Sequence, residues 1–455
     1  MGMSYLPERI PLAEALVAGG ETHSLEIGQG VLERTPDIFR QQFGDQPALP
    51  VADTNTFAAA GKAVVDAFRR SGRSCREPFI FTDPKLYAEH EHVTALEAVL
   101  QRDEAIPVAI GSGTINDLVK LASHRTGRRY LVVGTAASMD GYTAFGASIT
   151  YQGSKQTFSC PAPLGVVADL DVLCRAPEGM NASGYADLLA KTAAGADWIV
   201  ADALGVEAID RKAWNIVQGG LRTAVSDPAG VRAGNPEATR RLAEGLMLGG
   251  ISMQWTKTSR PASGAEHQFS HLWDMQHHVH KGQTPAHGFK VGIGTMAITA
   301  LYEYLLDQKL EAIDVEGCCA RWPDDAAREA SVRTLFNPAD LLRVALQESQ
   351  AKWVGAAALR PQLELLRRVW AELRESLLAQ LIPLWELKKM LATVGAPVEP
   401  EEIGISRARL RESYWQSYYL RRRFTALDLA ARCGLLEPAL AHLFGPAGPW
   451  PVAKG

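Results

Sequence analysis

Residues 106–117 read IPVAIGSGTIND. The apolar run 106–110 has the length and β-branched content of a buried strand, and it stops at a glycine. Gly111 and Gly113 let the backbone turn tightly and pass close to a ligand without Cβ clashes. A helix opening around Asn116 and running to His124 would point its free N–H groups and positive dipole end at that turn, a placement suited to a phosphate. The stretch falls short of the full GxGxxG dinucleotide fingerprint, so an ordinary strand-to-helix turn explains it equally well on these residues alone.

The flanks repeat the pattern. Upstream, 47–53 (PALPVAD) and 77–83 (EPFIFTD) read as strands, each followed by a helical stretch, 56–71 and 85–102. Downstream, 129–135 (RYLVVGT) is a further strand. Strands alternating with helices predict a doubly wound parallel sheet. Beyond residue 180 the strand-like runs disappear, and 185–204, 236–255, 288–306 and 351–381 read as helices. The expected architecture is an N-terminal α/β domain over 1–177 and an all-α domain over 178–455.

The chain has 455 residues, 47% of them hydrophobic, with a formal net charge of −4. That length fits two domains rather than one. The mild charge offers neither a nucleic-acid groove nor an anionic-membrane patch. No run approaches the 18 or so apolar residues of a membrane span. Six scattered cysteines without a CxxC pair, and an N-terminus without a signal-peptide pattern, lead to the expectation of a cytoplasmic protein with reduced thiols.

Three groups of residues could carry chemistry. Asp53 ends a predicted strand, where a carboxylate can take ribose hydroxyls and repel a 2′-phosphate, or simply cap a helix. The small-residue stretch 134–148 (GTAASMDGYTAFGAS) puts Asp140 at the mouth of the sheet, unless it is an ordinary turn aspartate. Six of the chain's 11 histidines lie between His267 and His287. His267 and His271 share a helical face, and two histidines plus a carboxylate make a facial metal site with open positions. His277, His278 and His280 are assigned to solvent or structural hydrogen bonds. Asp187, with Lys191 one turn later on the same face, is a candidate carboxylate, or else a charge near a helix start.

Taken in order, GSGTIND, TAASMDGYTA, DLLAK, SGAEHQFSHLWD (263–274) and HGFKVGIGT (287–295) resemble the sn-glycerol-1-phosphate dehydrogenase family. Its superfamily is dehydroquinate-synthase-like and includes the glycerol dehydrogenases and iron-containing alcohol dehydrogenases. The stretch 413–436 is similar to bacterial members. The resemblance implies that Asp187, His267 and His287 bind a divalent metal, Zn or Ni foremost and Fe a third candidate. It implies that His271 and Asp140 contact substrate. It implies cofactor contacts at Asp53, Gly111, Ser112, Gly113, Thr114, Ile115, Asn116, Asp117, Thr135 and Ser138, with NAD the cofactor and NADP the alternative.

Two residues depart from the family pattern: Ala144 follows Thr143 where a serine is expected, and Phe289 stands where relatives often carry glutamate. The implied reaction is reversible reduction of dihydroxyacetone phosphate to sn-glycerol 1-phosphate in a homo-oligomer. Lys155, Lys191 and Lys290 are candidate phosphate partners. The competing readings are a glycerol or polyol dehydrogenase, a dehydroquinate-synthase-type cyclase, and an NAD- or metal-binding protein without turnover.

Overall fold

The computed structural model describes residues 5–152, 154–337 and 339–452, excepting the side chains of Ser154 and Lys155. Six parallel strands form one sheet: β1 (Ser24–Gly28), β2 (Ala48–Asp53), β3 (Phe79–Phe81), β4 (Ile106–Gly111), β5 (Leu131–Gly134) and β8 (Gly165–Asp169). β6 (Ala147–Tyr151) and β7 (Ser154–Phe158) pair separately as an antiparallel hairpin.

Side-chain alternation explains the double winding. Along β4, Val108 and Ile110 join a core with Ile38, Phe39, Val64 and Phe68 on one face, while Ala109 joins Leu96, Leu118 and Ala122 on the other. Both faces of the sheet are therefore apolar and covered, as a parallel sheet requires.

The strand order is β1-β8-β5-β4-β2-β3. From β2 the chain moves outward to β3, then returns to the opposite side of β2 and continues through β4 and β5. The carboxyl ends of β2 and β4 thus flank the point where the winding reverses, the place where open α/β sheets take ligands. Asp53 and Gly111 are the last residues of those two strands.

Helices make up the second half. They include α3 (Met180–Leu189), α4 (Lys191–Ala203), α5 (Pro236–Thr256), α6 (Ala265–Met275), α7 (His287–Leu306) and α8 (Arg407–Leu420), after α1 (Leu12–Gly19) and α2 (Gly113–Arg125) of the first half. One large apolar cluster runs through α3 to α8. No helix among the described residues is long and apolar enough to cross a membrane. All six cysteines are free.

Three features differ from the sequence expectation. The sheet has two more strands, β1 and β8. β1 is short and half-buried throughout, so it shows neither a buried run nor a clean alternation. β8 is a buried run that merges directly into a helical turn at Leu170, which hides its end. The N-terminal segment is fastened to the helices rather than to the sheet. Ala15 and Ala18 of α1 pack on Ile216 and Ile251, and the Tyr5 hydroxyl donates to Asp202 at 2.9 Å. The division at 177 places these residues with the sheet, although their contacts are with the helices.

Candidate metal and substrate site

A cleft of about 1330 Å³ runs between the turns after β4 and β5 and the helices α6 and α7. Gly113, Thr114 and Asp140 line it from one side, and His267, His271 and His287 from the other. Among the described residues, Asp187, His267 and His287 each offer a ligand atom, all within 4.8 Å of one another.

Three helices bring this triad together. α3 supplies Asp187, α6 supplies His267, and His287 is the first residue of α7. Close backbone contact is what allows it. A Cβ on Gly184 of α3 would fall 1.8 Å from the Ala137 carbonyl oxygen, and a Cβ on Gly288 of α7 would fall 1.8 Å from that of Ser183. Neither position accepts any side chain without pushing α3 away from the loop after β5 or from α7. Gly288→Ala is accordingly expected to lower stability by about 1–3 kcal/mol and to weaken metal retention by displacing His287. Denaturant titration and elemental analysis of the same preparation check both effects.

The donor chemistry suits a divalent cation. His267 Nδ1 pairs with Glu266 Oε1 at 2.7 Å, which directs Nε2 toward Asp187, 3.4 Å from its Oδ1. A carboxylate behind a histidine fixes its tautomer and raises its basicity in just this way. His287 Nδ1 lies 3.4 Å from the Ser270 hydroxyl. Burial pushes His267 down, but its bonds to Asp187 and Glu266 outweigh that and hold it at about 9. The cavity thus holds a strong preference for positive charge between these groups.

Asp187 is fully buried, and both its oxygens are engaged. Oδ1 accepts from Lys191 Nζ at 2.8 Å, and Oδ2 accepts from the Asp140 backbone N–H at 3.1 Å. Burial alone would raise its carboxyl, yet Lys191 and His267 hold it well below the usual carboxylate range. Lys191 also contacts Asp140 Oδ2 at 2.7 Å. Burial opposes the ammonium, and the two carboxylates outweigh it, so Lys191 sits above the usual lysine value. The lysine is a counter-charge that ties α3, α4 and the Asp140 loop together. It is not available as the phosphate partner that the sequence reading proposed. Lys290 fails for a similar reason, being buried and ion-paired with Asp274. The Lys155 side chain lies outside the described residues.

The loop that carries Asp140 has its own anchor. Lys120 of α2 is buried, and its Nζ donates to the carbonyls of Gly141, Ala144 and Gly146 at 2.9, 2.9 and 3.0 Å. Thr143 donates to the Met247 carbonyl at 2.7 Å, so its hydroxyl locks the loop to α5 rather than facing the cleft. Phe289 packs beside Gly179, at the start of α3.

The expected cofactor residues take different places in the structure. Gly113, Thr114 and Asp117 line the cleft. Ser112 is the N-cap of α2 but makes no side-chain cap, so the first-turn N–H groups have no capping side chain. Gly111 stands where a Cβ would meet Ile115 at 2.6 Å, which makes it a packing glycine for the strand–helix junction. The side chains of Ile115 and Asn116 do not line the cleft. Ile115 is buried in the sheet core, and Asn116 is fully buried, accepting from Tyr130 OH at 2.9 Å and donating to Asp117 and Gly141. Their side chains support the turn from behind because the first helical turn rotates them inward. Thr135 is buried, and its N–H donates to the Gly111 carbonyl at 3.1 Å. Ser138 accepts at its carbonyl from the Ser183 hydroxyl at 3.4 Å. Asp53 caps the helical turn after β2, its Oδ1 accepting from the Thr56 N–H at 2.8 Å.

His271 lines the cleft with its ring centroid 6.3 Å from that of His267. His278 is structural, its ring held by the Ile403 carbonyl at 2.6 Å and by Arg409 at 2.8 Å. Sequence reasoning missed Glu266, for which adjacency to His267 was the available signal. It also missed Gln268, which lines the cleft, and the basic segment Arg421 to Arg423, which lines its rim.

Comparisons with known proteins agree with this geometry. Residues 26–177 match the model of the iron-containing alcohol dehydrogenase family. The chain is 33% identical over 302 residues to a glycerol-1-phosphate dehydrogenase (NAD(P)+) of Halalkalibacterium halodurans, covering 65% of this chain and 75% of that protein. It is 29% identical over 432 residues to the Geobacillus stearothermophilus enzyme of the same name, covering 93% and 96%. The solved structure of a probable glycerol dehydrogenase from Sinorhizobium meliloti superposes with a TM-score of 0.59 over 92% of this chain and 97% of that one, at 14% identity, and so shares the fold. With a parallel sheet that reverses its winding at a glycine turn, a buried Asp–His–His triad facing that turn, and a relative one-third identical over most of its length, the chain belongs to the glycerol-1-phosphate dehydrogenase family of iron-containing alcohol dehydrogenases.

Proposed function

We propose that the protein catalyses the reversible reduction of dihydroxyacetone phosphate to sn-glycerol 1-phosphate, consuming one NADH or NADPH and one proton and releasing NAD(P)+. The observation that carries the proposal is the Asp187–His267–His287 triad, opening on the same cleft as Gly113 and Thr114. Asp187, His267 and His287 would hold a divalent ion, Zn, Ni or Fe, whose chemistry when bound is electrophilic pull on the carbonyl oxygen, while the nicotinamide supplies hydride. The turn from Gly111 to Thr114, with the uncapped start of α2, would cradle the pyrophosphate.

The chain's own groups do the rest. Asp140, held by Lys191, orients a substrate hydroxyl at the cleft wall. His271, one helical turn beyond His267, stands where a proton can be passed to the substrate oxygen as the carbonyl carbon becomes tetrahedral. The test is NADH oxidation by protein loaded with each metal in turn, offered dihydroxyacetone phosphate, dihydroxyacetone and glyceraldehyde 3-phosphate. The expected result is turnover of the first, with the sn-1 enantiomer as product. Equal turnover of dihydroxyacetone would replace this reading with a glycerol dehydrogenase.

Asp53 sits at the reversal point of the sheet, where its carboxylate would meet the adenine ribose. NADH should therefore be preferred to NADPH. Asp53→Gly should narrow that preference, since the repulsion of a 2′-phosphate is removed. Equal kcat/KM for the two cofactors in the parent protein would contradict the assignment.

A further inference from the structure

Four lysines and arginines line the cleft: Lys257, Arg421, Arg422 and Arg423. Two have carboxylate partners. Lys257 pairs with Glu21, and Arg422 makes a two-pronged contact with Glu348, its Nη2 at 2.6 Å and its Nε at 3.1 Å. The other two do not. Arg423 donates to neutral acceptors, the Ser263 carbonyl at 2.6 Å and the Ser259 hydroxyl at 3.0 Å. Arg421 makes no hydrogen bond among the described residues, and its closest acidic influence is the Glu348 already held by Arg422. A further guanidinium, that of Arg260, lies behind them, its Nε 3.2 Å from Glu207. Burial pulls Arg423 down to about 10, with repulsion from Arg260 adding to it. This end of the cleft therefore carries two guanidinium groups without a carboxylate partner of their own, with Glu207, Glu266 and Glu348 acting on them only at a distance.

Position and polarity agree with that charge. Ser263, which Arg423 grips, is followed by Gly264, the N-cap of α6. His267 comes one turn later, roughly 6 Å along the helix axis. Gln268, beside His267, lines the same cleft, is only 3% exposed, and has neither amide atom hydrogen-bonded among the described residues. A buried amide without partners is costly unless a ligand completes it. The cleft thus holds a metal-ligating histidine, an unsatisfied amide on the neighbouring residue, and two guanidinium groups without a carboxylate partner of their own. Such a set of groups suits a three-carbon ketone whose phosphate ester is attached to the carbon next to the carbonyl.

We infer that Arg421 and Arg423 form the clamp for the substrate's phosphate, with the Gln268 amide beside His267 contacting a substrate hydroxyl or ester oxygen. The inference rests on the phosphorylated-substrate reading above. A guanidinium fork fits phosphate oxygens two at a time, which a lysine cannot do, and Arg423 is already oriented by Ser263. The clamp comes from the segment that immediately follows α8, so the C-terminal part of the chain takes part in substrate choice.

The experiment compares kcat/KM for dihydroxyacetone phosphate and dihydroxyacetone in the metal-loaded parent protein and in three variants, Arg421→Gln, Arg423→Gln and Arg422→Gln. The parent should prefer the phosphate at least about a hundredfold, as two or three charge-assisted bonds imply. Arg421→Gln and Arg423→Gln should each cut that ratio by about tenfold or more. Arg422→Gln, whose charge is committed to Glu348, should keep it. Inorganic phosphate should inhibit the parent competitively against dihydroxyacetone phosphate and inhibit the first two variants far less. Arg421 is exposed, so its variant reports even if Arg423→Gln does not fold. A parent with high preference and an Arg421→Gln variant with an unchanged ratio would overturn the clamp alone. A parent without preference would overturn the substrate reading and the clamp together.

Discussion

His287→Ala is expected to leave the protein folded but without bound metal, with kcat lowered by at least about a thousandfold, roughly 4 kcal/mol of transition-state stabilisation. The physical reason is the composition of the triad. Asp187 is already committed to Lys191 and to the Asp140 backbone, so it brings only part of its charge to an ion. The two imidazoles must therefore contribute much of the binding, and one of them alone leaves an incomplete set. His287 begins α7 and has no capping role for its side chain, so its removal spares the helix. His267→Ala and Asp187→Ala should show the same loss of metal, with Asp187→Ala also losing stability because Lys191 is then half-paired in the interior. Elemental analysis after gel filtration, paired with circular dichroism, separates loss of metal from loss of fold. Stoichiometric metal in folded His287→Ala would remove that residue from the site.

Lys191→Met should be the most destabilising single substitution at the site. The ammonium has no solvent exposure and contacts Asp140 at 2.7 Å and Asp187 at 2.8 Å. Without it, two carboxylates face each other in a desolvated cavity. Breaking a buried pair of this kind costs about 3–5 kcal/mol, because the partner charge is left uncompensated. A divalent ion held by Asp187 would restore part of the balance. The variant should therefore be markedly less stable without metal and should regain part of its stability when metal is added. Thermal unfolding of the parent and Lys191→Met, each with and without a divalent ion, measures both terms. A Lys191→Met protein as stable as the parent without metal would show that the ammonium is not the structural counter-charge argued here.

Much of the site was legible in the linear chain because its chemistry is carried by short segments. The strand–turn–helix at 106–117 announces itself by an apolar run, two glycines and a polar helix start. The histidines at 267, 271 and 287 stand out because histidine is scarce and six of 11 are concentrated there. Metal ligands could be ranked by residue type and by resemblance, and the structure brings all three within 4.8 Å of one another. The role of Lys191 could not be read in the same way. Its spacing from Asp187 was visible, but Asp140, 51 residues earlier, reaches it only in the folded chain. The same holds for Ile115 and Asn116, whose helix phase relative to the sheet turns them inward.

The sequence by itself determined the order of the four strands β2 to β5, the change from a sheet to helices, and which residue types could bind a metal, because these depend on periodicity and local chemistry. Only the tertiary structure decided which charges are spent and which remain free. Lys191 and Lys290 look like phosphate ligands until burial and pairing remove them, while Arg421 and Arg423 become candidates only because folding sets them at the rim of a cleft that begins more than 300 residues earlier. Charge is a property of a residue, but uncompensated charge is a property of its neighbours in space, and those neighbours are chosen by packing.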